Sequence, residues 1–94
     1  MEIKDNEFSR QFETTIDEQM FSVEYSLQDR KIFLTKVNVP DGAEEEPLVS
    51  EFLKEIMDIA EERRLRVMPT HPTVVSFFRK NPGYKSLLPP GIRI

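Results

Sequence analysis

The feature that most constrains the fold of this chain is a strand-like stretch with apolar side chains on both sides, KIFLTKVNV. Its apolar residues fall on two faces of an extended chain, with Ile32 and Leu34 on one and Phe33, Val37 and Val39 on the other. A strand that is apolar on both faces is typical of the inside of a sheet that is covered on both sides. The sequence therefore predicts a central strand here, and Pro40 ends it.

An amphipathic helix follows this strand and is predicted from about Pro47 to Leu65. Its apolar residues recur at steps of three and four and so form one stripe: Val49, Phe52, Leu53, Ile56, Met57 and Ala60. Proline suits a first helical position because its missing N–H would have no partner there in any case. The stretch LRVMPTH then predicts a short strand, and Pro72 opens a second helix that runs to about Lys80.

Two alternating segments precede the central strand, RQFETTI and QMFSVEYSLQ, with turns at Asp17–Glu18 and Asp29–Arg30. The resulting order, β-β-β-α-β-α, predicts an α/β (α+β) fold. Its sheet is expected to be mixed but mostly antiparallel, with about four strands and two helices. The polar N-terminus predicts a flexible leader over residues 1–10, ahead of a single domain over residues 11–94.

Composition narrows the classes of function. The chain has 94 residues, a net charge of -4 and no cysteine. The acidic balance disfavours nucleic acid, and the lack of a long apolar run disfavours a membrane span or a secretory signal. One histidine without cysteine cannot supply the usual zinc ligands. We therefore expect a cytoplasmic protein without a metal, whose partner is a small molecule or a protein. A monomer or a weak homodimer is expected, since an exposed sheet edge can pair.

Two stretches, FSVEYSLQDRKIFLTKVNVP and RVMPTHPTVVSFFRKNPGYKSLL, resemble the short single-domain GNAT proteins, which are minimal N-acetyltransferase-like domains. The resemblance runs from roughly Phe12 to Leu88. Six residues match the family's C-terminal pattern in register and without gaps: Pro69, Val74, Asn81, Pro82, Tyr84 and Leu87. The resemblance implies a minimal GNAT-like fold and a transferase activity that moves acetyl from acetyl-CoA to an amine.

The resemblance also implies where acetyl-CoA would lie. Its pantetheine arm would pair with the backbone of the central strand, and its diphosphate would lie on the loop that opens the long helix. In the family this loop carries Arg/Gln-x-x-Gly-x-Gly/Ala, because bare glycine backbone and free N–H groups hold phosphate. By position, the implied cofactor-binding residues are Val37, Asn38, Val39, Glu44, Glu45, Pro47, Leu48, Val49 and Ser50.

The loop departs from that signature at each defining position. Glu44 replaces the basic or amide residue, Pro47 replaces the first glycine, and Val49 replaces the second with a branched side chain. Proline removes one N–H donor, and the carboxylates of Glu44 to Glu46 repel phosphate. The sequence therefore predicts a degenerate cofactor site. The acidic residues also have a simpler explanation, since carboxylates before a helix stabilise its dipole.

His71 aligns with a cysteine that is proposed to be reactive in the family, and Lys36 aligns with a histidine of the central strand. An imidazole can take up a proton near neutral pH, so His71 is the candidate catalytic base or acyl relay. The alternative for His71 is a structural or surface role. Lys36 could point into the cofactor site or extend its ammonium to solvent.

Three functions stay open on the sequence alone. The first is a GNAT-fold protein with weakened or lost acetyl-CoA binding that serves as a ligand- or protein-binding module. The second is an active N-acetyltransferase that tolerates its unusual loop. The third is a structural interaction domain.

Overall fold

Within residues 1–43 and 47–94, which the computed structural model describes, five strands form a sheet in the order β1-β2-β3-β4-β5. The strands are β1 (Lys4–Asn6), β2 (Gln11–Ile16), β3 (Gln19–Gln28), β4 (Lys31–Asn38) and β5 (Arg66–Pro69). The helices are α1 (Pro47–Glu62), α2 (Pro72–Lys80) and a 3₁₀ helix (Pro82–Leu87). Only the β4–β5 pair is parallel among these strands, because α1 carries the chain across the sheet between them. The predicted α+β fold with a mixed, mostly antiparallel sheet is confirmed.

The N-terminal segment differs from the prediction. Residues 4–6 lie within the predicted flexible leader, yet they form β1 and pair with β2 from Lys4↔Glu13 to Asn6↔Gln11. The strand has no apolar alternation to reveal it. It is held instead by polar contacts, since Asn6 Nδ2 donates to Glu13 Oε2 at 2.9 Å and Asp5 accepts a hydrogen bond from Tyr25.

One face of the sheet and the inner stripe of α1 form the core. The six apolar residues predicted on that stripe are all buried. They pack with the buried residues of the strands, which are Phe12, Phe21, Val23, Tyr25, Ile32, Leu34 and Val67. From α2 the core receives Val74, Phe77 and Phe78.

The helix α1 ends three residues earlier than predicted, and the reason is local. Arg64 adopts a positive φ of 59°, and the N–H of Leu65 donates to the carbonyl of Ala60 at 2.8 Å. The N–H of Arg64 donates to the carbonyl of Glu61 at 3.0 Å. This pair of bonds is the Schellman arrangement, which satisfies the last carbonyls of a helix and turns the chain away.

The strand β4 lies inside the sheet, as predicted, but its two faces are not those that simple alternation assigns. Tyr25 pairs with Leu34 while Glu24 pairs with Lys36, so Thr35 is an extra residue and forms a β-bulge. Beyond it Val37 lies opposite the buried Val23 and packs against the core. The assignment of Val37 to the same face as Phe33 is therefore wrong. Phe33 is only half-buried, so full cover on both faces is wrong as well.

Candidate functional site

The candidate site begins where β4 and β5 separate. Their pairing runs from Lys31↔Arg66 to Leu34↔Pro69 and stops at the bulge. Thr70 Oγ1 donates to the carbonyl of Leu34 at 2.7 Å and closes this pairing. Residues 36–38 pair with β3 on one side, and no strand in the described part of the chain pairs with them on the other. We call this unpaired edge of residues 36–38 the β4 slot.

Three segments meet at this edge of the sheet. Because β4 and β5 are parallel, their carboxyl ends point the same way, and the segments that follow them start at the same edge. These segments are the loop after β4, the start of α1 and the start of α2. The structure thus brings together the elements to which the sequence assigned the cofactor and His71.

The side chains along the β4 slot are engaged in the protein itself. Val37 and Val39 are half-buried and pack against the core. Asn38 Nδ2 donates to Glu24 Oε2 at 2.8 Å and to Ser22 Oγ at 3.2 Å. A ligand in the slot would therefore meet the strand's backbone. That is the kind of contact predicted for Val37, Asn38 and Val39, and it stays a prediction.

The loop after β4 starts with a tight turn. The N–H of Ala43 donates to the carbonyl of Pro40 at 2.9 Å, and Gly42 has a φ of 82° that suits glycine at the third position of a turn. Ala43 is buried in the core. The predicted phosphate-facing residues Glu44 and Glu45, together with Glu46, lie outside the described residues.

The entrance of α1 starts with an exposed proline. Pro47 has no N–H, so the first turn of α1 has one donor fewer than a helix that begins with any other residue. Leu48 and Ser50 are half-buried. Val49 is only 3% exposed, which places its side chain in the core and not on the surface that a ligand would approach. The obstacle within the described part of this entrance is therefore Pro47, not the branched side chain of Val49.

His71 is the N-cap residue of α2. Its extended backbone (φ -107°, ψ 139°) precedes Pro72, and its Nδ1 accepts a hydrogen bond from the N–H of Thr73 at 3.1 Å. An imidazole nitrogen that accepts has no proton, so the neutral ring carries its proton on Nε2. This geometry gives His71 a structural task. A catalytic role for its remaining nitrogen stays a prediction.

Two site features were not found from the sequence. The bulge at Thr35 left one signal, because Leu34 and Val37 are three residues apart where a regular strand would keep a spacing of two. The bond from Thr70 to β4 left none. Lys36 is exposed, which agrees with the alternative that its ammonium reaches solvent.

Metal and membrane chemistry receive no support from the described residues. Within residues 1–43 and 47–94, no group of three or more His, Cys, Asp or Glu side chains could hold a metal ion. In the same ranges, every helix is too short or too polar to cross a membrane.

A comparison with families of known proteins supplies the relationship. Residues 11–87, from β2 to the end of the 3₁₀ helix, match the family described as GCN5-related N-acetyl-transferase, whose members generally bind acetyl-CoA. A comparison with curated proteins gave no match. The match spans most of the chain and includes both segments that border the β4 slot. The chain therefore belongs to the GCN5-related N-acetyltransferase family.

Proposed function

We propose that this chain is a GNAT-fold binding protein in which recognition of the coenzyme A diphosphate is weakened or lost while the β4 slot is kept. The observation that carries the proposal is Pro47 as the first residue of α1. Helix N-termini hold phosphate through free N–H groups, and proline withdraws one of them from the first turn.

The magnitude of the loss supports the proposal. A phosphate oxygen left without its donor forfeits roughly 1–3 kcal/mol. Three glutamates directly precede Pro47 in the sequence, and each would repel a nearby phosphate by very roughly 0.5–1 kcal/mol in screened solvent. A summed penalty of about 4 kcal/mol raises a dissociation constant a thousandfold, from micromolar to millimolar.

The ligand of such a protein would be recognised by backbone pairing along the β4 slot. An extended chain without a diphosphate, either a small molecule with amide groups or a peptide segment, could add its hydrogen bonds to the unpaired edge. Such a ligand needs none of the lost phosphate donors. A protein partner that contributes a strand would make the chain an interaction domain in the same way.

An active N-acetyltransferase is the second candidate function, and the open β4 slot favours it. The slot has the orientation needed to hold a pantetheine arm, and His71 starts the next segment along this edge. In that case the Nε2 side of His71 would have to serve the amine or the thioester, because Nδ1 is engaged by Thr73.

Titration of coenzyme A while amide NMR spectra are recorded separates the two candidates. For the wild-type chain we expect no shifts of residues 36–50 and 70–76 below about 1 mM ligand. The double variant Glu44→Arg/Pro47→Gly restores a base and a backbone donor and should gain binding. Val49 is left unchanged because it belongs to the core.

The matched control is Pro82→Gly, which alters the first residue of the 3₁₀ helix and should gain nothing. Wild-type shifts confined to the site at micromolar coenzyme A would support the acetyltransferase and contradict the proposal. Acetyl transfer to an amine by the wild-type chain would do the same.

A further inference from the structure

The turn between β1 and β2 presents an aromatic residue to solvent. Phe8 is 99% exposed, which is the full side chain. The turn that carries it is held on both sides, since Ser9 N–H donates to Asn6 Oδ1 at 3.1 Å and the N–H of Tyr25 donates to the carbonyl of Arg10 at 2.9 Å. Full exposure of a large apolar side chain on a held turn is a feature of surfaces that bind other proteins.

A cleft of about 370 Å³ lies beside this turn and is lined by Asp5, Glu7, Arg10, Tyr25, Leu27 and Arg63. Its volume is in the range of sites that enclose a small group, so it has room for an aromatic ring. Leu27 is 54% exposed and offers an apolar wall. The guanidinium of Arg63 offers a flat surface, and arginine stacks readily on aromatic rings.

The charges inside the cleft are already paired. Asp5 accepts from the Tyr25 hydroxyl at 2.5 Å and from Arg63 Nη1 at 2.8 Å. The guanidinium of Arg63 also lies over the ring of Phe12, 5.9 Å from its centroid. Because these partners balance one another, the cleft suits an uncharged, aromatic occupant better than an ion.

The rim of the cleft is complementary to itself. Glu7 precedes Phe8 and Arg10 follows it, so one short turn carries a negative charge, an aromatic side chain and a positive charge. In a two-fold interface the same patch meets its own copy in opposite orientation. Glu7 of one copy can then face Arg10 of the other while each aromatic ring faces a cleft.

We propose that two copies of this chain form a two-fold dimer in which Phe8 of each copy inserts into the cleft of the other. The interface consists of the turn Glu7 to Arg10 and the adjoining cleft, which we call the Phe8 patch. Residues 1–10 lie outside the segment that matches the family. The dimer is therefore a property of this chain that its family membership does not imply. Its small area predicts weak affinity, with a dissociation constant on the order of 10–500 µM.

Sedimentation velocity over a concentration series tests the dimer. Phe8→Ser should raise the dissociation constant roughly tenfold to a hundredfold, as expected for an aromatic anchor at an interface. The side chain is fully exposed, so the variant should keep the wild-type melting temperature. The matched control is Met20→Ser, since Met20 is also exposed, at 57%, but lies outside the Phe8 patch. This control should dimerise as the wild type does.

Charge reversal adds a test that depends on the two-fold geometry. Glu7→Arg should be monomeric because the introduced guanidinium would face the guanidinium of Arg10 in the other copy. Arg10→Glu should be monomeric by the same logic, with two carboxylates facing each other. An equimolar mixture of the two variants should form a heterodimer, because each reversed charge then meets its opposite.

Three results would overturn the proposal. The first is a wild-type chain that stays monomeric up to about 1 mM. The second is a dimer whose dissociation constant is unchanged by Phe8→Ser. The third is a monomer whose cleft amides shift on addition of N-acetylphenylalanine amide, since that result would assign the cleft to a different aromatic occupant.

Discussion

Replacing His71 by alanine tests whether this residue holds the start of α2. The variant loses the Nδ1 acceptor for the N–H of Thr73, which lies 3.1 Å away, and leaves the rest of the helix unchanged. Loss of an N-cap acceptor typically destabilises a protein by about 0.5–2 kcal/mol. His71 is half-buried, so the N–H of Thr73 would regain water only in part, and we take about 1 kcal/mol as the expected loss.

The change in melting temperature follows from the size of the domain. For a domain of 60–100 residues, 1 kcal/mol corresponds to a shift of about 4–8 °C. We therefore expect His71→Ala to melt about 4–8 °C below the wild type when unfolding is followed by circular dichroism. His71→Asn is the matched control, because asparagine is a good N-cap and keeps an acceptor at this position. It should melt within about 2 °C of the wild type.

The same pair of variants separates the structural role from a catalytic one. If His71 were only a cap, any acetyl transfer would survive in His71→Asn. If it were a base, transfer would be lost in both variants regardless of stability. A melting temperature of His71→Ala equal to that of the wild type would refute the capping argument.

Three further predictions concern the rest of the fold. Thr70→Val removes the hydroxyl that donates to β4 and should destabilise the protein by about 0.5–1.5 kcal/mol, as measured by urea unfolding. Phe52→Ala should lower the free energy of unfolding by about 3–5 kcal/mol because this ring is fully buried, whereas Phe8→Ala, at a fully exposed ring, should change it by less than about 0.5 kcal/mol. Burial, assisted by the hydrogen bond to Asp5, raises the pKa of Tyr25 to about 12. Because the fold favours the protonated hydroxyl, the stability that this group confers is complete below pH 10 and is lost as the pH rises from about 10 toward 12. Absorbance titration compared with Tyr25→Phe should show the delayed ionisation, and ionisation near pH 10 would contradict it.

The elements with strong periodicity could be predicted from the sequence. The helix α2 has the predicted bounds, and the stripe of α1 faces the core as its spacing indicated. These patterns are reliable because burial of an apolar face dominates the choice of structure. The parallel pairing of β4 and β5 followed from the helix between them.

The remaining features depend on contacts that have no periodic signature. The strand β1 is held by polar side chains of Asp5 and Asn6 that reach partners distant in sequence. The bulge at Thr35 moves Val37 to the core face, which simple alternation cannot anticipate. The cap at His71 was missed because histidine is not among the preferred N-cap residues. At the candidate site, the sequence identified the segments but not the local geometry that defines the β4 slot.

The central claim is that a helix which begins with proline after three glutamates gives no favourable seat to a diphosphate. The direct measurement is a pair of calorimetric titrations of the wild-type chain, one with coenzyme A and one with pantetheine, which lacks the nucleotide and its phosphates. The account predicts that coenzyme A binds no more tightly than pantetheine. Binding of coenzyme A at least tenfold tighter than pantetheine, a gain of about 1.4 kcal/mol from the part that carries the phosphates, would contradict it.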